Sequence, residues 1–436
     1  MTNKKIKALL IIEQCNPEWP SVPLVGYCFY KHISQIVDTT LVTHARNKPA
    51  LEKAHPDRDI VYIDESNIIK KYYRIAEKLS KIGGRIIWPL YNTLTYPVYG
   101  EFNHQVYTKF KHLIIKGHYD IVHALTPILP RYPVKAINAC KNTPFIIGPV
   151  NGGVPFPKGF QDIARQEFSY FNFLRLVGRF IIPGYRETYK KADYILAGSS
   201  YTLTLIKDLF NINKDKIELF FENGIDNSFL KAEKNKTQCE NRTNQVINLL
   251  FVGRLVPYKG ADLLIEAIST LSPSIKNNTL LTIVGDGPER ELLEKLTQKL
   301  ELTHIVHFTG WVEQQNTLNY YNNSDIFCFP SIREFGGAVV LEAMANGLPC
   351  IVINNGGIAE YVTEETGYRI NPTSREFVIQ ELKGSIEKLV QNQALRDNMS
   401  LKAIQRAKEF SWNNKADAIV TIYNQLLKNR NRKGSI

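Results

Sequence analysis

Short apolar runs alternate with helix-like stretches along the whole chain, and this alternation is the tightest constraint on its fold. Ile6–Ile12 reads as a buried strand. A proline-rich loop follows (Pro17, Pro20, Pro23), then Gly26 and a helical stretch to about Val37. Further strand-like runs are Thr40–Val42, Ile60–Ile63, Ile121–Ala124, Phe145–Gly148, Tyr194–Ala197 and Ile217–Phe220. Continuous Val/Ile/Leu runs bounded by turn residues suit parallel strands covered on both faces. The segments between them are long enough for crossover helices. Residues 228–245 are polar and without periodicity, which reads as a linker or exposed loop. A second series then begins, with strands at Val246–Val252, Leu280–Val284, Ile305–Phe308, Ile326–Phe329 and Pro349–Ile353. Two such series predict an α/β protein of two Rossmann-like domains, binding ligands between them at the carboxyl ends of the strands.

The 436 residues suffice for two domains with ample core, and 44% hydrophobic with 22% charged residues is ordinary for a globular chain. Disorder, a collagen-like repeat and a small disulfide scaffold are excluded. The net charge of +12 is lopsided. Residues 1–200 hold 27 Lys and Arg against 15 Asp and Glu, whereas residues 201–436 hold 27 of each. Such an excess points to nucleic acid, an anionic membrane surface or an acidic substrate, or serves solubility alone. Six cysteines, at 15, 28, 140, 239, 328 and 350, form no C-x-x-C pair, which argues against a zinc site and fits a reducing compartment. Lys4, Lys5 and Lys7 precede an apolar stretch too short for a secretory leader, and no run approaches the ~18 apolar residues of a membrane span. A cytoplasmic protein is expected.

Three stretches carry candidate chemistry. Phe251-Val-Gly-Arg-Leu-Val-Pro-Tyr-Lys-Gly260 runs from a strand through a glycine turn and two cations into a helix. Glycine admits close approach, Arg254 can fork onto a phosphate and Lys259 adds a point charge. The alternative is a basic loop that merely caps a helix. Val284-Gly-Asp-Gly-Pro-Glu289 signals a tight turn before a helix, with Pro288 suited to its first position. In Pro330-Ser-Ile-Arg-Glu-Phe-Gly-Gly-Ala-Val-Val-Leu-Glu-Ala-Met-Ala345, Glu334 and Glu342 bracket a Gly-Gly turn and a helix expected to start near Gly337. Its free N–H groups favour an anion. Glu342 falls among apolar residues, where a carboxylate is costly unless it binds something. The pair reads either as sugar-recognising acids or as a loop acid and a helix-surface acid.

Gly253-Arg254, Lys259-Gly260, Gly285-Asp286-Gly287-Pro288, Phe308-Thr-Gly310 and Glu334 with Glu342-Ala343 occur in the order and spacing of the family-four retaining glycosyltransferases. The chain resembles that family tightly over 246–362 and loosely before it. The resemblance implies the GT-B fold, two Rossmann-like domains facing each other across a cleft. The implied domains are an acceptor-side domain 1–227, the linker 228–245, a nucleotide-sugar domain 246–410 and a C-terminal helix 411–436 crossing back to the first. It further implies transfer of a sugar from a nucleoside diphosphate, UDP before GDP, to a hydroxyl of a saccharide or lipid-linked saccharide. No separate cofactor and no metal are expected. Arg254 and Lys259 match the family's diphosphate contacts, Glu342 its ribose-binding acid, and Glu334 the acid beside the donor sugar. The backbone of Phe335, Gly336, Gly337, Ala338 and Val339 would touch sugar and diphosphate, with Gly253 beside them. Trp311 and Val312 fall where the base is held. Many members read Glu-Gly-Phe-Gly where this chain has Glu334-Phe335-Gly336-Gly337, so the residue nearest the sugar differs.

In the first domain the resemblance assigns a flexible glycine loop to Gly26 and a catalytic His beside the sugar to His123. Gly148-Pro-Val-Asn-Gly-Gly153 follows a strand, and Asn151, Gly152 and Gly153 either approach the acceptor or simply form a turn. The implied reaction retains anomeric configuration by a front-side route, with Arg254, Lys259 and the helix N-terminus stabilising the leaving phosphate in place of a metal. Residues 67–91 place Ile68, Tyr72, Ile75, Leu79, Ile82 and Ile86 at helical spacing among Lys70, Lys71, Arg74, Lys78, Lys81 and Arg85, with Gly83 and Gly84 expected to break the helix. A second apolar-basic patch, Phe171–Ile182, carries Arg175 and Arg179. Both suit the inner face of a membrane, or else turn their apolar stripes to the core. Glycosylation of nucleic acid or of a non-lipid small acceptor, and non-catalytic nucleotide-sugar binding, are the competing functions. No known nucleic-acid motif supports a nucleic-acid acceptor, and the retained acids and cations oppose a non-catalytic role.

Overall fold

The structure is a computed structural model in which residues 5–58, 60–82, 85–125, 132–230 and 246–433 are described. Most of the expected linker and the expected break at Gly83 and Gly84 lie outside those residues. The strands in chain order are β1 (Lys7–Ile11), β2 (Asp38–His44), β3 (Ile60–Ile63), β4 (Lys81–Ile82), β5 (Arg85–Ile86), β6 (Ile121–Ala124), β7 (Phe145–Val150) and β8 (Tyr194–Ala197). They continue with β9 (Ile217–Leu219), β10 (Ile247–Val252), β11 (Thr279–Val284), β12 (Val306–Gly310), β13 (Ile326–Phe329), β14 (Cys350–Ile353) and β15 (Gly367–Ile370).

The chain divides into two compact units. One holds 1–153, 168–222 and 412–436, and the other 154–167 and 223–411. The sequence reading had placed 154–167 with the first domain.

The first unit is built on a seven-stranded sheet of order β3-β2-β1-β6-β7-β8-β9, parallel throughout. The interior strand β1 shows why the runs are continuously apolar. Leu9 and Ile11 of β1 join one core cluster with Tyr99, Phe102, Val106 and Phe110 of the helix Tyr96–Ile115. Ala8, Leu10 and Ile12 join the other, with Phe29 and Ile33 of the helix Val22–Ile36 and Ile419 and Tyr423 of the helix Trp412–Lys433. Successive side chains on a strand point to opposite faces, so covering both faces requires every residue to be apolar.

The second unit carries a six-stranded parallel sheet of order β12-β11-β10-β13-β14-β15. The sequence reading did not mark β15. Its two inner residues, Tyr368 and Arg369, are less buried than Gly367 and Ile370, so it lacks the apolar run of a central strand.

The expected basic helix is interrupted. Asn67–Leu79 is helical, β4 and β5 then pair antiparallel, and Trp88–Leu94 forms a separate helix. Ser80 ends the first helix and its carbonyl accepts from the Ile87 N–H at 2.8 Å, closing the short ribbon.

Candidate functional site

In the second unit the candidate residues gather beyond the carboxyl ends of β10 and β13. Gly253 follows β10, and its N–H donates to Val284 O at 2.9 Å. The Leu255 N–H donates to Asp286 O at 2.9 Å, so the Gly285–Pro288 turn braces the basic loop. Arg254 is exposed and makes no ion pair among the described residues. Lys259 ends a short 3-10 turn, Pro257–Lys259. Its ammonium pairs with Glu334 and sits 4.9 Å from the centre of the Phe329 ring. Ser331 Oγ donates to the same Glu334 oxygen at 3.3 Å. Both charged side chains are only 14% exposed, so the pair is sheltered and held in register.

The helix Ala338–Ala345 starts where the sequence places it, with Gly337 as its N-cap at φ 53°. That left-handed turn brings the chain close to its neighbours. A Cβ on Gly337 would lie 2.4 Å from the Ile358 methyl and 3.0 Å from Glu334 Cγ. Glycine is therefore required both by conformation and by space. Gly336 is buried, and Gly337, Ala338 and Val339 are half-buried at the helix start, where backbone N–H groups lack intrahelical partners.

Glu342 is 5% exposed. Its two oxygens accept from Gln314 Nε2 and from Tyr321 Oη, each at 2.9 Å. Burial raises its pKa against the opposing pull of those two donors. Gln314 and Tyr321 lie seven residues apart on the helix Gln314–Asn322, hence on one face. The sequence reading missed both. The signal available was the need of a buried acid for donors, together with that polar i, i+7 pair.

Phe335, the departure from the family pattern, has its ring 4.9 Å from the Arg333 guanidinium, and Phe156 stands 4.8 Å from the same group. Arg333 Nε donates to Val154 O at 2.7 Å, and Asn355 Nδ2 to Pro155 O at 3.2 Å and to Ile332 O at 2.8 Å. The 154–156 segment is thus tied to the loop carrying Glu334, a contribution invisible in local sequence. Trp311, just after β12, is 73% exposed, and Val312 is half-buried.

The first unit treats its candidates differently. Gly26 lies inside the helix Val22–Ile36, not in a flexible loop. A Cβ there would sit 2.3 Å from Gln14 O, so the glycine lets the helix pack on the backbone after β1. His123 is fully buried, and both ring nitrogens are engaged. Nε2 bonds Gly148 O and Nδ1 bonds Tyr423 Oη, each at 2.7 Å. A carbonyl only accepts, so Nε2 carries the proton and Nδ1 accepts from the tyrosine. Burial lowers its pKa to about 4. The His expected to be catalytic is a neutral crosslink between β6, β7 and the C-terminal helix. Asn151 is also buried, accepting from Ser199 Oγ and Thr202 Oγ1 at 3.0 Å each. The Gly152 N–H donates to Thr202 Oγ1 at 3.1 Å, and Gly153 has φ 88°. Of the two readings of this segment, the geometry displays the turn. Among the described residues no group of three or more His, Cys, Asp or Glu is placed to hold a metal ion.

Residues 233–406 match the family described as glycosyl transferases group 1. An uncharacterized glycosyltransferase of Methanocaldococcus jannaschii is 29% identical over 250 residues, 55% of this chain and 61% of that protein. A second from the same organism is matched over 64% of its length, so the chain spans less than two thirds of either relative. Among solved structures, Anabaena HepE in complex with UDP and glucose is similar at TM-score 0.58, with 17% identity and coverage of 96% of this chain and 100% of that one. WaaG, a glycosyltransferase involved in lipopolysaccharide biosynthesis, is similar at TM-score 0.57, with 17% identity and coverage of 96% and 99%.

Proposed function

We propose that the chain, whose residues 233–406 match the group 1 glycosyl transferases and whose fold is GT-B, is a retaining transferase. It moves a sugar from a nucleoside diphosphate to a hydroxyl of a lipid-linked saccharide, without a metal. The observation that carries this reading is one helix, Ala338–Ala345. It has Lys259 and Glu334 paired before its N-terminus, and buried Glu342 with two donors further in. Glu342 accepts from the ribose hydroxyls. The helix N–H groups, Arg254 and Lys259 take the diphosphate. Glu334 orients the sugar while fixing Lys259. As the bond from the anomeric carbon to the β-phosphate oxygen breaks, negative charge grows on that phosphate, and the two cations and the helix dipole stabilise it. The acceptor oxygen attacks from the same face, and its proton passes to the departing phosphate oxygen. UDP is the first choice of carrier and GDP the second. UDP in the Anabaena neighbour supports that order.

The lipid-linked acceptor is supported by the surface of the first unit. On the helix Asn67–Leu79, Ile68 is 79% exposed, Ile75 57% and Leu79 62%, on one stripe flanked by exposed Lys71, Arg74 and Lys78. A single exposed apolar side chain is ordinary, but a helical stripe bordered by cations suits an anionic bilayer surface. None of the helices among the described residues is long and apolar enough to cross a membrane. A thermal-shift screen over nucleotide sugars tests the donor, since a bound donor raises stability by mass action. Stabilisation by at least one nucleoside diphosphate sugar is expected. Transfer surviving Arg254→Ala with Lys259→Ala overturns the mechanism.

A further inference from the structure

The first unit holds a cavity of about 200 Å³, walled by Pro89, Tyr96, Leu174, Val177, Ile182 and Leu205. Three of its polar neighbours donate to backbone. Asn92 Nδ2 donates to Trp88 O at 2.8 Å, Thr93 Oγ1 to Pro89 O at 2.8 Å, and Tyr132 Oη to Asn92 O at 2.7 Å. The surface facing the space is mostly hydrocarbon and ring, which offers water few partners. The one charged group on the wall is half-buried Arg179, which makes no ion pair among the described residues. On the same helix, Phe173–Ile181, Phe180 is 81% exposed and Ile181 70%. The neighbouring helix Trp88–Leu94 packs on it and also on the basic helix Asn67–Leu79, through Tyr73 Oη and Tyr91 Oη at 2.9 Å. A mostly apolar cavity, a cation on its wall with no ion pair among the described residues, and exposed Phe180 and Ile181 thus share one helix.

We propose that this cavity holds the hydrocarbon tail of the lipid-linked acceptor, with the phosphate of that lipid on Arg179. The proposal rests on the lipid-linked reading of the acceptor. The apolar walls select a chain without polar atoms, and the guanidinium selects an anionic head at its end.

The test is calorimetric titration of the full-length protein with dodecyl phosphate and with dodecanol, each below its aggregation concentration. A Cβ on Gly178 would meet only the Ile182 Cδ1 at 3.4 Å, so Gly178→Leu fills the space with the helix kept, and Gly178→Ala controls for the helix. Leu174→Trp is a second filling variant. Wild type and Gly178→Ala should bind dodecyl phosphate at one site, with the filling variants about tenfold weaker or more. Arg179→Gln should weaken dodecyl phosphate and leave dodecanol unchanged. Absence of saturable binding, or filling variants that bind as wild type, overturns the proposal. Flotation with phosphatidylglycerol vesicles separates it from the reading beneath it. Flotation retained by Gly178→Leu with tail binding lost supports both. Flotation without tail binding in wild type overturns the cavity alone. Tail binding in a protein that never floats overturns the membrane reading alone.

Discussion

Replacing Glu342 by Gln separates what its carboxylate does for the nucleotide from what it does for the fold. In the free protein its oxygens already accept from Gln314 and Tyr321 at 2.9 Å. Glutamine keeps the volume and one acceptor oxygen. Two ribose hydroxyls donating to a carboxylate make charged hydrogen bonds of about 1.5–3 kcal/mol each. The amide forfeits one acceptor and the charge on the other, a loss of about 2–3 kcal/mol, or about 30- to 150-fold in Kd at 1.4 kcal/mol per tenfold. Glu342→Ala should weaken binding at least as much. It also strands the Gln314 amide and the Tyr321 hydroxyl, each costing about 1–3 kcal/mol. Titrating UDP and its 2′,3′-dideoxy analogue into wild type and Glu342→Gln isolates the contact. The dideoxy compound lacks the donors and should bind both proteins alike. Burial raises the carboxyl pKa, so the ribo-over-dideoxy preference of wild type should fade on acidification at a pH above that of an ordinary glutamate. If the dideoxy compound separates the two proteins as widely as UDP does, the carboxylate does not meet the ribose.

Four further outcomes are expected. Arg254→Ala with Lys259→Ala should lower kcat by about 10²-fold or more, measured as sugar transfer, because both cations stabilise charge that appears in the transition state. Tyr423→Phe should cost about 1–3 kcal/mol in denaturant melts by leaving buried His123 Nδ1 unpartnered. His123 keeps a folded pKa of about 4, so below pH 6.5 only the unfolded chain gains its proton. Stability should fall from pH 6.5 towards 4, while activity shows no inflection from this residue. Lys415 is held at about 7 by burial against the pull of Glu222. Between that value and the ordinary 10.5 the unfolded chain binds a proton that the fold lacks. Stability therefore gains up to about 1.4 kcal/mol per pH unit across this window, a rise that Lys415→Met should flatten in thermal melts.

The parallel sheets were legible because a strand covered on both faces must be apolar along its buried length, as β1 after Lys7 and β7 are. The start of the Ala338–Ala345 helix was legible for a similar reason, since Gly337 sits where only glycine fits. β15 was not, because an edge strand needs no such run. Nor was the break after Leu79, where the Ser80 carbonyl closes a ribbon that periodicity does not encode.

Local residue order thus determined the layers, the turn glycines and the spacing of Glu334 and Glu342, all of which depend on neighbours a few residues away. The partners were decided by tertiary structure alone. Glu342 found Gln314 and Tyr321 on another helix, and Arg333 found Phe156 nearly two hundred residues upstream. His123 was spent on Tyr423, three hundred residues downstream. Whether a buried polar group is free for a ligand depends on which distant donors and acceptors the packing brings to it, and no local pattern carries that information.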